Sequence, residues 1–286
     1  MLKQRILTAI VLLAVLLAAV AATSHWPFLF IIVAAASCCL WEWLRLVWPH
    51  RPSQAPLAVS LVVGAGMLYM TYLWFQPSVA PWALSFVSIS LYALLIPVTL
   101  IWLVGATAAV FAARSDQAPG SWWWSTFGVL AVVSVWLSLT RLYLQFGSWF
   151  IISLLALIWA ADIAAYFCGK AFGQHKLAPR VSPGKTWEGA LGGVVAAVLW
   201  VVISARWPNS FGAYLDQHFS LLVIILMAAF LAALSIIGDL FESLLKRRAG
   251  VKDSSHLLPG HGGVYDRIDA LLPVAPLAFV LTAVIV

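Results

Sequence analysis

Charge is what this chain has least of. Lys, Arg, Asp and Glu make up 9% of its 286 residues, against about 25% in a soluble globular domain. Hydrophobic residues reach 64% and the mean hydropathy is +1.01. A chain of this size could not keep a water-exposed surface wet with so few charges, which excludes a soluble enzyme and a disordered protein. Cysteine is scarce too. Cys38, Cys39 and Cys168 all lie in apolar runs, without metal-ligand spacing or a disulfide pattern, so a secreted disulfide scaffold is excluded and buried inert thiols are expected. No soluble domain, long linker, internal repeat or low-complexity tract is present. What remains is an all-α, polytopic integral membrane protein.

A bilayer core of about 30 Å needs about 20 apolar residues per helix. Runs of that kind predict about nine transmembrane helices, near 6–22, 27–48, 56–75, 82–112, 123–144, 148–168, 187–206, 219–240 and 270–286. Pro97 in the fourth predicts a kink or tilt. Tryptophan is abundant, at 16 residues. Trp26, Trp48, Trp82, Trp122 to Trp124, Trp149, Trp187 and Trp207 fall near span ends, where an indole ring is buried and its N–H stays wet. These are read as anchors. Of 16 Lys and Arg, 14 fall on one side of the predicted spans, and only Arg141 and Arg206 on the other. The cation-rich side is expected to be cytoplasmic, which places the amino terminus inside and the carboxyl terminus outside. Lys3, Arg5 and the apolar run to Ala19-Val20-Ala21 could imitate a cleavable signal, but a run of about 17 residues favours a retained helix.

The net charge of +6 is read as orientation signal and as partner for anionic lipid or phosphate; no nucleic acid is expected. Residues 1–145 are bland, and are read as amino-terminal helices for packing or dimerisation. Glu42, between Trp41 and Trp43, is expected to pair locally, for instance with Arg45 at i+3. The polar chemistry gathers in 146–286, with cytoplasmic loops at 169–186 and 241–269. Eight of the ten acids lie there, all but Glu42 and Asp116.

Asp162 falls inside the sixth span with Tyr166 at i+4. A carboxylate at that depth costs about 2.5–3.5 kcal/mol on insertion scales and should face a partner or a wet cavity. Ser182-Pro183-Gly184-Lys185-Thr186-Trp187-Glu188-Gly189 ends like a P-loop, but Pro179 stands where its first glycine is required, and no strand is expected before it. Ser182 or Thr186 could instead cap the next helix, leaving its first N–H groups and Lys185 to an anion. Gly189 and Gly193 suit close helix packing. Further on, Asp239, Ser243 and Lys246 share a helical face if the eighth helix continues past the membrane. Gly260, Gly262 and Gly263 around His261 allow a backbone to approach a ligand, and Asp266 and Asp269 follow at i, i+3. Spread carboxylates, several cations and a glycine turn suit a metal-plus-phosphate site. Oxygen donors without usable cysteine favour Mg²⁺; His256 and His261 have too few soft companions for zinc.

The pattern Ser243-x-x-Lys246-Arg247-x4-Lys252-Asp253-x5-Pro259-x-His261-Gly262-Gly263-x-x-Asp266-Arg267-x-Asp269 resembles the signature of the phosphatidate cytidylyltransferases, without departure at any of these positions. The segment Ser182–Gly189 and the pair Asp162 and Tyr166 resemble the same family. The likeness is strong over roughly 155–270 and elsewhere is one of general hydrophobic character. It implies transfer of CMP from CTP to phosphatidate, giving CDP-diacylglycerol and pyrophosphate, by a homodimeric helical enzyme of the bacterial inner membrane. It further implies Mg²⁺, with a monovalent cation such as K⁺ as an additional possibility, on the acids matching Asp239 and Asp266. Catalytic roles are implied for Lys246, Arg247, His261 and Asp269 beside those two. Substrate contacts are expected from Asp162, Ser182, Lys185, Thr186, Ser243, Lys252, Gly262, Gly263 and Arg267. A transporter or flippase of anionic lipid or nucleotide would share the hydropathy, and a polyprenol kinase the distant architecture, but neither accounts for the complete signature.

Overall fold

The computed structural model describes residues 2–48, 54–76, 81–113 and 122–283. Arg51, Arg114 and Asp116, counted above, lie outside them. Long apolar runs become helices because a helix satisfies its backbone N–H and C=O groups within its own segment, as a bilayer demands. In chain order these are α1 (Leu2–Ala21), α2 (Trp26–Val47), α3 (Gln54–Leu73), α4 (Pro81–Leu100), α5 (Thr107–Ala112), α6 (Trp122–Phe146) and α7 (Ser148–Phe172). After strands β1 (Lys176–Ala178) and β2 (Ser182–Thr186) come α8 (Trp187–Ser204), α9 (Phe211–His218), α10 (Leu221–Arg248), α11 (Tyr265–Ile268) and α12 (Leu271–Ala283).

Helix occurs at every expected span, but among the described residues seven helices are long and apolar enough to cross a membrane. The expected nine is therefore not reached by that measure: α1 contributes a shorter apolar stretch, Ile10–Ala21, and α12 has 13 residues. The fourth span is interrupted. Pro97 lies within α4 and cannot donate to the carbonyl four residues back. The helix then opens into a π-helical turn over Ile101–Ala106, where the Thr107 hydroxyl donates to the Trp102 carbonyl at 3.1 Å. The loop at 169–186 also differs from expectation. It folds into an antiparallel hairpin in which Lys176 faces Thr186 and Ala178 faces Ser182. Its turn is closed by the Val181 N–H on the Ala178 carbonyl, with Pro179 at the bend. The Gly-Lys-Thr triplet thus lies on a strand, but in a two-stranded hairpin, which is no P-loop sheet.

The chain forms two compact units. The first comprises the described residues of Met1–Val98, Asp116–Thr140 and Leu245–Ile268. Its centre is Trp43 on α2, fully buried. The Trp43 indole N–H donates to the Trp124 carbonyl at 2.9 Å, and its ring stacks on Tyr265 at 5.3 Å between centroids. The second unit comprises the described residues of Thr99–Ser115, Arg141–Leu244 and Asp269–Val286. Here α8 runs back along α7, and the two backbones approach closely because Gly189 and Gly193 carry no side chain. A Cβ on Gly189 would lie 2.7 Å from the Ala165 carbonyl oxygen, and one on Gly193 2.8 Å from that of Ala161. The short α9 is pinned beside them, its Phe211 N–H donating to Ser153 Oγ at 2.7 Å and its Tyr214 hydroxyl to the Thr282 carbonyl at 2.9 Å.

Gly193→Ala should therefore destabilise the protein by about 1–3 kcal/mol, the usual range for overpacking, although alanine is the better helix former. Gly66→Ala on α3, where an added Cβ meets nothing within 4 Å, should be neutral or slightly stabilising. Thermal unfolding midpoints of the two variants in detergent test the contrast.

Candidate active site

In the second unit, the hairpin and the start of α8 close one side of a cavity of about 500 Å³. Thr186 is the N-cap of α8, its Oγ1 accepting from the Gly189 N–H at 3.2 Å. Of the two candidate caps, Thr186 takes the role because its backbone is extended where the strand gives way to the helix. Asp162, Lys170, Ser182, Lys185 and Asp239 also line the cavity. Lys185 Nζ forms an ion pair with Asp239 Oδ2 at 2.5 Å, and the Ser243 hydroxyl stands 3.5 Å from Asp239 Oδ1. Asp162 opens into this cavity beside these polar groups, as expected of an intramembrane carboxylate.

A second cavity, of about 540 Å³, adjoins the first and shares Leu177, Ala190 and Ile236 with it. It is apolar, walled by Val110, Phe111, Trp187, Leu191 and Ile237, with Arg180 the one charged residue among the described residues that line it. None of the sequence motifs points to this groove. Its walls come from segments far apart in the chain: the end of α5, the hairpin at Leu177–Arg180, α8 and α10.

Asp239, Glu242 and Asp269 each bring a carboxylate oxygen within 4.8 Å of the other two. Asp239 and Glu242 lie one turn apart on α10. Asp269 is brought close by the turn before α12, where its Oδ1 accepts from the Ala270 N–H at 2.8 Å. A Cβ on Gly238 would strike the Asp269 carbonyl, so glycine there permits the approach. Desolvation and then the charge of Asp239 push the Asp269 carboxyl well above the ordinary carboxylate range. Clustered hard oxygen donors fit Mg²⁺. Glu242 is not among the expected site residues: in the sequence its i, i+4 spacing pairs it with Lys246, whereas the structure sets it beside Asp239 and Asp269.

The first unit holds the glycine turn. Asp266 is the hub of its loop. Its Oδ1 pairs with Lys246 Nζ at 2.7 Å. Its Oδ2 accepts from the Gly263 N–H at 2.7 Å, the Ser254 N–H at 3.0 Å and the Ser254 hydroxyl at 2.9 Å. Gly262 has a φ of +84°, which favours glycine, and pairs with Leu258 in an isolated bridge. Arg267 donates through Nε and a terminal nitrogen to the His261 carbonyl, so it braces the turn. Lys252 and Arg247 are exposed and the His261 ring is half-buried.

Glu42 departs from its expected role. Arg45 lies over the Trp41 ring, 4.7 Å from its centroid. Glu42 is fully buried and accepts from Ser254, Ser255, Val264 and Tyr265. A pairing across more than 200 residues left no local trace, so the i+3 arginine offered the simpler partner.

A model of the cytidylyltransferase family matches residues 3–285 of this chain. The chain is 38% identical over 280 residues to a phosphatidate cytidylyltransferase of Pseudomonas aeruginosa, covering 96% of this chain and 95% of that protein. It is 34% identical over 290 residues to one of Haemophilus influenzae, with 96% of each covered. With one of Bacillus subtilis it shares 32% identity over 288 residues, covering 98% and 97%.

Asp266→Asn turns an acceptor oxygen into a donor facing either Lys246 or the Ser254 and Gly263 amides. The expected cost is about 1–3 kcal/mol, that of leaving a buried polar group unmatched. It should appear as a lowered unfolding midpoint, and an unchanged midpoint would show that the loop does not depend on this hub.

Proposed function

We propose a working arrangement for this chain from one fact: it belongs to the cytidylyltransferase family. It is an integral membrane nucleotidyltransferase, a phosphatidate cytidylyltransferase. An oxygen of the phosphatidate phosphate bonds to the α-phosphorus of CTP, the bond from that phosphorus to the α,β-bridging oxygen breaks, and pyrophosphate leaves with the electron pair. Phosphatidate is already ionised at neutral pH, so no strong base is required. The barrier lies in bringing anions together and in the charge that builds on the leaving group, and positioned cations and fixed donors answer both.

The observation that carries the reading is the pair of adjoining cavities. The first cavity offers Lys170, Lys185, Ser182 and Thr186 to phosphates. The apolar groove is shaped for acyl chains, with Arg180 beside it for the lipid headgroup. Lys185 is held by Asp239, which orders its ammonium before substrate arrives. Asp162 stands on the cavity wall as a polar contact within the membrane. In the first unit Lys246, Arg247, Lys252 and His261 are proposed to meet phosphate oxygens, with the backbone of Gly262 and Gly263 allowing close approach.

Asp239 is proposed as a magnesium ligand, supported by the oxygen atoms of Glu242 and Asp269 nearby. Asp266 is proposed as a ligand from the family likeness. When bound, the ion would stabilise charge on phosphate oxygens. A monovalent cation such as K⁺ belongs to the same proposal. The 14-to-2 distribution of cations supports a site at the cytoplasmic face of a bacterial inner membrane, with the amino terminus inside and the carboxyl terminus outside. A homodimer is proposed from the family likeness.

Purified protein given CTP, phosphatidate and Mg²⁺ should release pyrophosphate and form a CDP-lipid. Chelation should abolish turnover and Mg²⁺ restore it. Asp239→Asn should lower kcat by about 100-fold or more, the scale of losing one preorganised electrostatic group, with the unfolding midpoint little changed. Absence of a CDP-lipid, productive use of ATP in place of CTP, or normal turnover of Asp239→Asn would refute the assignment.

A further inference from the structure

We infer that Glu42, on a helix remote in sequence from every motif, is a positioning residue for the loop that carries Lys246, His261 and Asp266. The inference rests on the proposed reaction for its kinetic consequence, but not for its geometry. Each Glu42 oxygen accepts one backbone N–H and has one hydroxyl within hydrogen-bonding reach. Oε1 takes the Val264 N–H at 3.0 Å and the Ser255 hydroxyl at 2.5 Å. Oε2 takes the Tyr265 N–H at 2.5 Å and lies 3.2 Å from the Ser254 hydroxyl, which it shares with Asp266.

Local needs do not explain this side chain. Glu42 is fully buried and sits within the last two turns of α2, where the helix dipole disfavours an anion. A buried carboxylate there is tolerated only with strong donors, and they come from residues 254–265. The fit is close on the other side as well. A Cβ on Gly263 would strike Ser254 Oγ and lie 2.5 Å from Glu42 Oε1, so the anchor itself requires glycine at 263.

The Ser254 hydroxyl links this anchor to the proposed chemistry. It is within hydrogen-bonding reach of Glu42 Oε2 and of Asp266 Oδ2, and Asp266 holds Lys246. The next residue but one to Glu42's amide partner Val264 is Asp266 itself. Glu42 therefore sets the loop backbone, the loop sets Asp266, and Asp266 sets the Lys246 ammonium. Two backbone N–H groups on different oxygens demand an acceptor at both. A carboxylate supplies that and a carboxamide cannot: glutamine would turn an N–H toward Val264 or Tyr265.

Glu42→Gln preserves the volume and removes one acceptor, whereas Glu42→Asp keeps both acceptors on a shorter stem. With CTP and phosphatidate as substrates, Glu42→Gln should lower kcat by about 10- to 100-fold, the scale of an ångström-level misplacement, at unchanged KM for phosphatidate. Glu42→Asp should retain more turnover than Glu42→Gln, an order that a space-filling role would reverse. Hydrogen exchange should quicken over 252–265 in Glu42→Gln while α7 and α8 keep wild-type protection. Glutamine as active as aspartate, or exchange unchanged over 252–265, would overturn the inference. If Glu42→Gln cannot be recovered folded, Ser255→Ala decides by the same two readouts, with a kcat loss of about threefold and faster loop exchange expected, and no change in either counting against it. A wild-type protein that makes no CDP-lipid would refute the proposed reaction instead, and leave the exchange measurement to judge the anchor.

Discussion

A carboxylate enclosed by apolar side chains must be met by hydrogen-bond donors or cations, because the low-dielectric interior gives it no water. With only ten acids in the chain, each such group organises a large share of the polar structure around it. Glu42 collects two amides and the Ser255 hydroxyl, Asp266 an ammonium and two amides, with the Ser254 hydroxyl between the two carboxylates, and the more exposed Asp239 an ammonium and a hydroxyl. The helices supply apolar bulk, and these few anions determine which loops attach to which helices.

The same economy shapes the two cavities of the second unit. Where Lys185, Ser182 and Asp239 meet, the wall is polar and suited to phosphate. A few residues away, Phe111, Trp187 and Leu191 present a surface with the character of the bilayer. A reaction that joins a water-soluble nucleotide to a lipid needs these two environments in contact. Shared residues such as Ile236 stand at the border between them.

Much of this was legible along the chain. Hydropathy located the helices because membrane insertion depends on the apolar content of contiguous segments. Gly189 and Gly193 marked α8 for close packing, because their spacing leaves one helical face without side chains, although the partner, α7, is named only by the structure. The cap at Thr186 and the extension of α10 to Arg248 also obey local rules. The β hairpin at 176–186 did not stand out, since three- and five-residue strands with a proline and glycine read as loop. The π turn after Pro97 was legible only as a disturbance. Glu42 was misread because a nearby arginine satisfied local pairing rules, while its donors lie more than 200 residues on.

Composition, helix positions and the signature Lys246 to Asp269 were set by the residue order, for each depends on neighbours within a few turns or on a contiguous pattern. The family followed from that pattern, and chemistry from the residue types it contains. Tertiary structure decided which carboxylates stand together, which one holds the glycine turn, and where an apolar groove meets a polar one. Those outcomes depend on how distant segments solve the desolvation of a few charges jointly, and no local window contains both halves of such a contact.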